Sequence, residues 1–527
     1  MEASTPRVST RVTTAIPQAI AVAGAALVVY QWAVARPLWL DEEMIAINIR
    51  DRGFASLAGK LSLEQSAPYG WLVLERLSLL IFGSGERSLR LVPMLFGLST
   101  IATAWWIGRR WLGWLSTSIL VLMCSVGQWV SYSFVELKHY SADVCFALLL
   151  PALAAYALET DRVALWWIAV AVAQVLANGA LFVTPLCAAA LVVLVLQRRG
   201  SAAAVRAAWP GLVWAAVFAV NYALVLRPAQ TSEFLQGYWQ TQFPPTSSGA
   251  MAMVAWIGGK LAPFTVKPGG TRVGWLLWVA AVAGFAFTRE RRRPLAIMFA
   301  TVPLAGILLT TLHFVPFFER LVLWMVPAIY VGVALLVPGT WSGTWHVPGT
   351  YLARTWYVPG TCLALLIAAD VAYLGVDDLK ARPAPTNHRL DDRSTVRWLA
   401  AREQPGDVWL TTHLALPAIW WYAPDSAAPV LEIGYADPGP DCHPDDLPHA
   451  LDGAVRALVF TGFHFDDQPP FFDDLLLDRM TAIGQMTAYR GFDDVSRAAI
   501  VDRRLTSRRE RGDQVPGCLR ARQARRW

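Results

Sequence analysis

Asp41, Glu42 and Glu43 stand together directly after the first long apolar run, in the stretch Pro37-Leu-Trp-Leu-Asp41-Glu42-Glu43. Ionised groups at the end of a membrane helix are costly unless they have a task. Carboxylates there can take a proton from a hydroxyl, or hold a divalent metal such as Mg or Mn. They can also do no more than cap a helix, since acids suit a helix N-terminus. A further acid, Glu136, opens Glu136-Leu-Lys138-His139-Tyr140. Arg90, Lys138, His139, His313 and Arg320 lie near the ends of apolar runs, where they can clamp a phosphate or anchor at headgroups. Tyr140 and Trp239 are suited to pack on a sugar or an apolar chain, or to sit in an aromatic belt. Asp441–Asp446 and Asp466–Asp474 lack EF-hand spacing and read as solvated loops.

These residues need a scaffold, and composition says which solvent it meets. The chain has 527 residues, 55% hydrophobic and 16% charged, with mean hydropathy +0.40. A soluble domain carries about 25% charged residues, so the balance points to membrane. Twenty-five Trp fit several membrane–water boundaries. The net charge of +6 invites comparison with nucleic-acid binders, but much of the Arg sits in short clusters at the ends of apolar runs. That placement reads as topology, and no nucleic-acid partner is expected. Cys124, Cys145, Cys187 and Cys362 fall in apolar runs and read as small core residues, while Cys442 and Cys518 lie in the polar C-terminal part and can pair in an oxidising compartment. No Cys/His spacing suggests zinc.

Residues 16–35 can span a bilayer as a helix and read as a retained anchor, with Arg7 and Arg11 before them placing the N-terminus in the cytoplasm. Residues 68–83 are apolar but carry Glu75 and Arg76. Read as a span, they would send Arg109 and Arg110 outside, so they are expected as a juxtamembrane helix. The same parity then holds along the chain, through Arg198-Arg199 and Arg289–Arg293 on the inside. About eleven spans result, the last at 363–374. Val-Pro-Gly-Thr recurs at 337–340, 347–350 and 358–361, which reads as a turn-rich cytoplasmic loop. From residue 377 the composition turns polar, acidic and proline-rich. Strands are expected at 407–412, 430–433, 457–460 and 498–501, and helices at 391–403 and 416–422. The expected organisation is a membrane domain at 1–376, a small α/β domain at 377–503 and a basic, disordered tail at 504–527. Parity puts the α/β domain outside, on the side of Asp41.

Four stretches together resemble bacterial GT-C-fold glycosyltransferases, the group that includes protein O-mannosyltransferases and lipid A aminoarabinose transferases. Leu38-Trp-Leu-Asp41-Glu42 looks like the family's acidic motif in the first outer loop. Gln65-Ser-Ala-Pro68-Tyr-Gly-Trp-Leu, with Phe82-Gly83 and Glu86-Arg87-Ser-Leu-Arg90-Leu, looks like its juxtamembrane segment and second span. Glu136-Leu-Lys138-His139-Tyr140-Ser-Ala-Asp143 looks like the second-loop acidic motif. Tyr238-Trp239, Phe243-Pro244-Pro245 and Pro316-Phe-Phe-Glu-Arg320-Leu resemble later positions. A single Pro at 68, where many members carry two, leaves the acceptor class open.

The resemblance implies an all-α polytopic membrane fold with juxtamembrane helices in the first outer loop, plus the small α/β domain. It implies an inverting transfer of a sugar from a polyprenyl-phosphate donor to a glycan, lipid or protein of the cell envelope. On that reading Asp41 is the base and Glu42 supports it. Glu136 orients the acceptor, or shares a metal with Asp41. The competing class is a transporter or flippase of lipid-linked glycans. Transporters place their ionisable groups near midplane and show inverted repeats, whereas here these groups cluster in outer loops and no repeated halves are visible.

Overall fold

In a computed structural model, the described residues are 10–223, 227, 233–245, 249–288, 290–338, 351–382, 386–388, 390–433, 447, 451, 453–463, 472–492 and 496–503. Apolar runs too long for strands dominate the first three quarters of the chain, and they fold as helices. These are α1 (Thr10–Val34), α2 (Leu40–Asp51), α3 (Tyr69–Phe82), α4 (Glu86–Leu89), α5 (Leu91–Trp111), α6 (Trp114–Val126), α7 (Gln128–Ser133) and α8 (Tyr140–Thr160). Next come α9 (Val163–Leu176), α10 (Asn178–Arg199), α11 (Ser201–Ala208), α12 (Pro210–Asn221), α13 (Glu233–Trp239), α14 (Ala250–Phe264), α15 (Leu276–Phe287), α16 (Arg293–Thr311), α17 (Val326–Leu335) and α18 (Tyr351–Ala381). Among the described residues, seven helices are long and apolar enough to cross a membrane, and four shorter apolar helices accompany them. The chain is a multi-pass membrane protein.

The fold divides into two compact units. The first comprises Met1–Val34 and Phe54–Ala381, and the second Ala35–Gly53 and Arg382–Trp527. In the first, α8 is the axis: 83% of its apolar window is buried, and α5, α10 and α16 pack around it. By contrast α1 and the α11–α12 pair keep most of their surface outward, at 17% and 11% buried, as lipid-facing helices would. Small residues let helices close up. Gly284 of α15 lies directly against the Gly332 carbonyl of α17, and Gly375 of α18 against the Val126 carbonyl of α6. The expected juxtamembrane helix is α3, which ends at Gly83 with φ +87°.

The repeat reading needs correcting. Val358–Thr361 lies inside α18 rather than in a turn, because apolar residues on both sides carry the helix through Pro359. The copy at 347–350 lies outside the described residues, as do Cys442, Cys518 and the tail at 504–527. Cys124, Cys145 and Cys187 are buried as expected, but Cys362 of α18 is exposed rather than a core residue.

The second unit is α/β. Its sheet runs β2 (Val430–Ile433), β1 (Asp407–Thr412), β3 (Arg456–Thr461), β5 (Ser496–Arg503), β4 (Gly484–Phe492). β1 is parallel to β2 and β3, with Trp409 opposite Val430 and Leu458, while β5 is antiparallel to β3 and β4. Helices α19 (Asp392–Ala400), α20 (Leu416–Tyr422) and α21 (Phe472–Ile483) complete it. Leu410, Leu431, Val459, Leu476, Met480 and Val501 form its core. The expected strands and the first two helices are all present; β4 and α21 were not anticipated. Asp407, expected at a strand start, is 3% exposed and takes a two-pronged contact from Arg456, at 3.0 and 2.7 Å, at the edge of β3.

Helix α2 belongs to this second unit. The Leu38 amide donates to Tyr422 Oη at 2.7 Å, and Arg50 donates to the Trp420 carbonyl at 3.0 Å while lying 5.1 Å from the Trp421 ring. Arg393 donates to the Ala35 carbonyl at 2.8 Å. Trp39 packs beside His388, ring centroids 4.4 Å apart, in a small cluster with Leu40 and Leu390.

Candidate functional site

The acidic triplet occupies the first turn of α2, where acids oppose the partial positive charge of the free N–H groups. Capping is therefore one of its roles. Helical phase then sorts the three acids. Asp41, Met44, Ile47 and Arg50 share one half-buried face, whereas Glu42 and Glu43 point inward. Glu42 is 0% exposed, and its Oε2 accepts from Asn387 Nδ2 at 2.9 Å and from the Trp39 amide at 3.3 Å. Glu43 is 1% exposed, and neither of its oxygens has a hydrogen-bond partner among the described residues. Burial, then the neighbouring Asp392 and Glu42 carboxylates, hold the Glu43 carboxyl well above its ordinary range. Asp392 is pushed up to about 7 by burial, against the Ser496 hydroxyl that donates to it at 2.6 Å. Of the triplet, Asp41 alone presents a carboxylate on a face that is not sealed.

The remaining candidates belong to the first unit. Glu136, Lys138 and His139 lie in the short turn between α7 and α8, and Tyr140 opens α8. All four are 8% exposed or less, and Arg90, between α4 and α5, is 3% exposed. Headgroup anchors would be solvated, so burial removes that reading for Arg90, Lys138 and His139. Lys138 Nζ donates to Gln65 Oε1 at 2.6 Å, which joins two stretches of the motif pattern.

His139 is the hub of a buried polar cluster. Its Nε2 lies 3.2 Å from Asn178 Nδ2 and 3.5 Å from Asp143 Oδ2, and the Gly179 amide donates to Asp143 Oδ1 at 2.7 Å. The Trp71 ring meets the imidazole edge-on at 6.2 Å. Burial, with the Lys138 ammonium beside it, pushes His139 down to about 3, so the ring is neutral. Several polar atoms here have no partner among the described residues: His139 Nδ1, Ser141 Oγ, Asn178 Oδ1 and Trp71 Nε1. Buried polar atoms are nearly always satisfied, so such a group of orphans is what a site for water or a polar ligand looks like.

A second cluster joins the two loops around Gln242 and Phe317. The Phe317 amide donates to the Gln242 carbonyl at 2.9 Å, and Lys260 Nζ donates to Gln242 Oε1 at 2.6 Å. His313, a non-glycine residue at φ +61°, stacks on Phe243 at 5.2 Å with Nε2 3.1 Å from the Pro244 carbonyl. Strained backbone of that kind gathers at functional sites. Trp239 packs on Phe318 at 5.0 Å and is half-buried, as is Arg320, while His313 is exposed. Gly179 connects the clusters, because a Cβ there would meet Asp143 at 3.1 Å and Trp324 at 3.2 Å, and Trp324 follows Arg320 in the same 3-10 turn, Glu319–Met325.

The structure thus gathers Lys138, His139 and Tyr140 at one polar cluster, and Trp239, His313 and Arg320 at another. Asp41 and Glu42 lie in the other compact unit. Sequence reading did not single out Asn178, Asn387, Asp392 or Ser496 for the site. Asn178-Gly179 had a signal, the turn between two apolar runs; Asn387, Asp392 and Ser496 had none, since their roles come from contacts over 100 or more residues. Among the described residues no three His, Cys, Asp or Glu side chains are placed to hold one metal ion.

No family model and no curated protein matches the chain. Among solved structures, ArnT from Cupriavidus metallidurans bound to undecaprenyl phosphate aligns with 91% of this chain and 97% of its own, at 17% identity and TM-score 0.51. The apo form of the same protein aligns over the same shares at 16% identity and TM-score 0.49. The likeness is one of fold: the chain has an ArnT-like, GT-C-type architecture with a small C-terminal sheet.

Proposed function

We propose that the protein is a membrane glycosyltransferase that moves a sugar from a polyprenyl-phosphate donor to a hydroxyl of a cell-envelope glycan, lipid or protein, outside the membrane. The observation that carries the reading is the fold shared with a protein whose solved structure holds undecaprenyl phosphate. The buried polar cluster around His139, in the same bundle as the outer loops with Arg320 and Trp239, adds support.

In the proposed reaction the Asp41 carboxylate takes the proton of the acceptor hydroxyl. The acceptor oxygen attacks the anomeric carbon as the bond from that carbon to the phosphate oxygen breaks. The electron pair leaves with the polyprenyl phosphate. Attack from the face opposite the leaving group inverts the anomeric centre. Arg90, Lys138, His139, His313 and Arg320 are the groups assigned to hold the phosphate, the cations by charge and the neutral His139 ring by hydrogen bonding. Tyr140 and Trp239 pack on sugar or lipid. Glu42 serves by fixing the first turn of α2 through Asn387, and Glu136 orients the acceptor.

A Mg or Mn ion shared by Asp41 and Glu136 is the alternative use of those carboxylates. The described donor set does not fit it, since among the described residues no third His, Cys, Asp or Glu side chain is placed to complete a metal site. No step is therefore routed through a metal.

The test is transfer of labelled sugar from a polyprenyl-phosphate donor by the protein in proteoliposomes, with Asp41→Asn as comparison. Wild type should transfer and the variant should not, while both elute as one species. Full activity in Asp41→Asn would sink the base assignment. Movement of a lipid-linked glycan across the bilayer without any transfer would support the transporter class instead.

A further inference from the structure

At one end of the helix bundle lies a solvent-open concavity of about 320 Å³ lined by Arg110, Glu159, Arg198, Arg291 and Pro294. These residues come from the last turns of α5, α8 and α10, from the 3-10 turn Glu290–Arg292 and from the first turn of α16. An arginine that only marks topology needs to sit near a span end, with no reason to converge on a hollow. Here three arginines from three segments do so.

Among the described residues, the one acid lining the cavity, Glu159, is already engaged. Arg110 donates to Glu159 Oε2 at 2.9 Å, and Trp111 Nε1 donates to Oε1 at 2.7 Å. The rim is braced as well: Arg110 lies 5.5 Å from the Tyr156 ring, and Arg199 donates to the Leu158 carbonyl at 2.8 Å and pairs with Asp161. Arg198 and Arg291 have no hydrogen-bond or ion-pair partner among the described residues. Two exposed guanidinium groups thus border a concave space, with no anion among the described residues paired to them. Guanidinium forks match the oxygens of a phosphate group, and Arg is weakly hydrated enough to be recruited at such a site.

We propose that this cavity is a phosphate-binding site on the side of the membrane that carries the arginine clusters. Its ligand is a phosphate mono- or diester, either the headgroup of an anionic phospholipid or a soluble phosphate compound. Arg198 and Arg291 grip the phosphate, and the Arg110–Glu159–Trp111 group shapes the wall. The proposal does not rest on the transferase reading, and its test reads no transfer activity.

The full-length protein is reconstituted in nanodiscs of phosphatidylcholine with or without phosphatidylglycerol, and phosphatidylglycerol retained on the protein is read by native mass spectrometry. Inorganic phosphate added to phosphatidylcholine nanodiscs forms the soluble arm, read by thermal stability. Arg198→Gln/Arg291→Gln should lower retention of the lipid, or abolish the phosphate-induced shift, by at least about tenfold in apparent affinity. Arg206→Gln, an exposed arginine on α11 outside the cavity, should change neither. An effect in the lipid arm names a headgroup, and one in the phosphate arm alone names a soluble source. Displacement of retained lipid from wild type by inorganic phosphate provides a check that needs no variant. Equal retention by wild type and double variant, with no response of wild type to phosphate, overturns the proposal.

Discussion

Asn387 donates Nδ2 to Glu42 Oε2 at 2.9 Å and to the Pro37 carbonyl at 3.1 Å, tying the first turn of α2 to a residue 345 positions later. One amide therefore fixes both the approach to α2 and its inward acid. Asp41 is the neighbour whose direction depends on that fixing.

Asn387→Ala removes the hydrogen bond to the buried Glu42 side chain. A loss of about 1–3 kcal/mol is expected in the second unit. Hydrogen exchange should show it as faster exchange across α2. Unchanged protection there would mean that the clamp contributes nothing.

The three acids should separate by substitution. Asp41→Asn should lower transfer by about 100-fold or more, the usual weight of a general base. Glu43→Gln replaces a carboxyl whose ionisation burial opposes with a neutral group of the same shape, so stability should shift by less than about 1 kcal/mol. Transfer assays and thermal unfolding of the same preparations test both, and equal damage from the two variants would contradict the sorting by helical phase.

Asp392 makes the second unit sensitive to pH. Its folded pKa of about 7 lies above its ordinary value of 3.8. The folded state thus holds a proton that the unfolded chain gives up. The stability this supplies is fully present below about pH 4 and declines as pH rises to about 7, by a few kcal/mol in order of magnitude. Asp392→Asn should flatten the dependence, read from denaturant unfolding at several pH values.

His139 should act as a neutral ring. With its pKa near 3, it stays uncharged from pH 5 to 8. His139→Gln is expected to reduce transfer while leaving the shape of the pH–rate profile over that range unchanged. A profile break near pH 6.5 that disappears in the variant would show that the ring titrates after all.

Helix contact in the first unit is tight at two glycines. A methyl on Gly284 would strike the Gly332 carbonyl, and one on Gly375 the Val126 carbonyl, so the backbones would have to part. Gly284→Ala and Gly375→Ala should each cost about 1–3 kcal/mol or more and lower the yield of monodisperse protein. Gly237→Ala, with open space around it, should not.

Much was legible in the sequence because it depends on local pattern. Apolar runs bounded by arginines gave the helices of the bundle, α3 included, since period and length decide between strand, span and interfacial helix. Alternating apolar residues and turn signals gave β1, β2, β3 and β5. The acidic triplet and Glu136-Leu-Lys138-His139 were visible as charges where apolar runs end.

Long-range packing decided the rest. Composition placed α2 beside the first span, yet it belongs with the C-terminal sheet, because Asn387, Tyr422 and Trp420 supply its partners. The resemblance ranked Asp41 as the base with Glu42 in support; what the structure adds is that burial of one helix face seals Glu42 and Glu43 and leaves Asp41 on the half-buried face. The arginines of the cavity read as topology marks one by one, and only the convergence of α5, α8, α10 and the start of α16 gathers them around one space. A sequence records which groups a chain owns and the period of its elements. Which buried groups meet is set by packing between elements far apart in the chain.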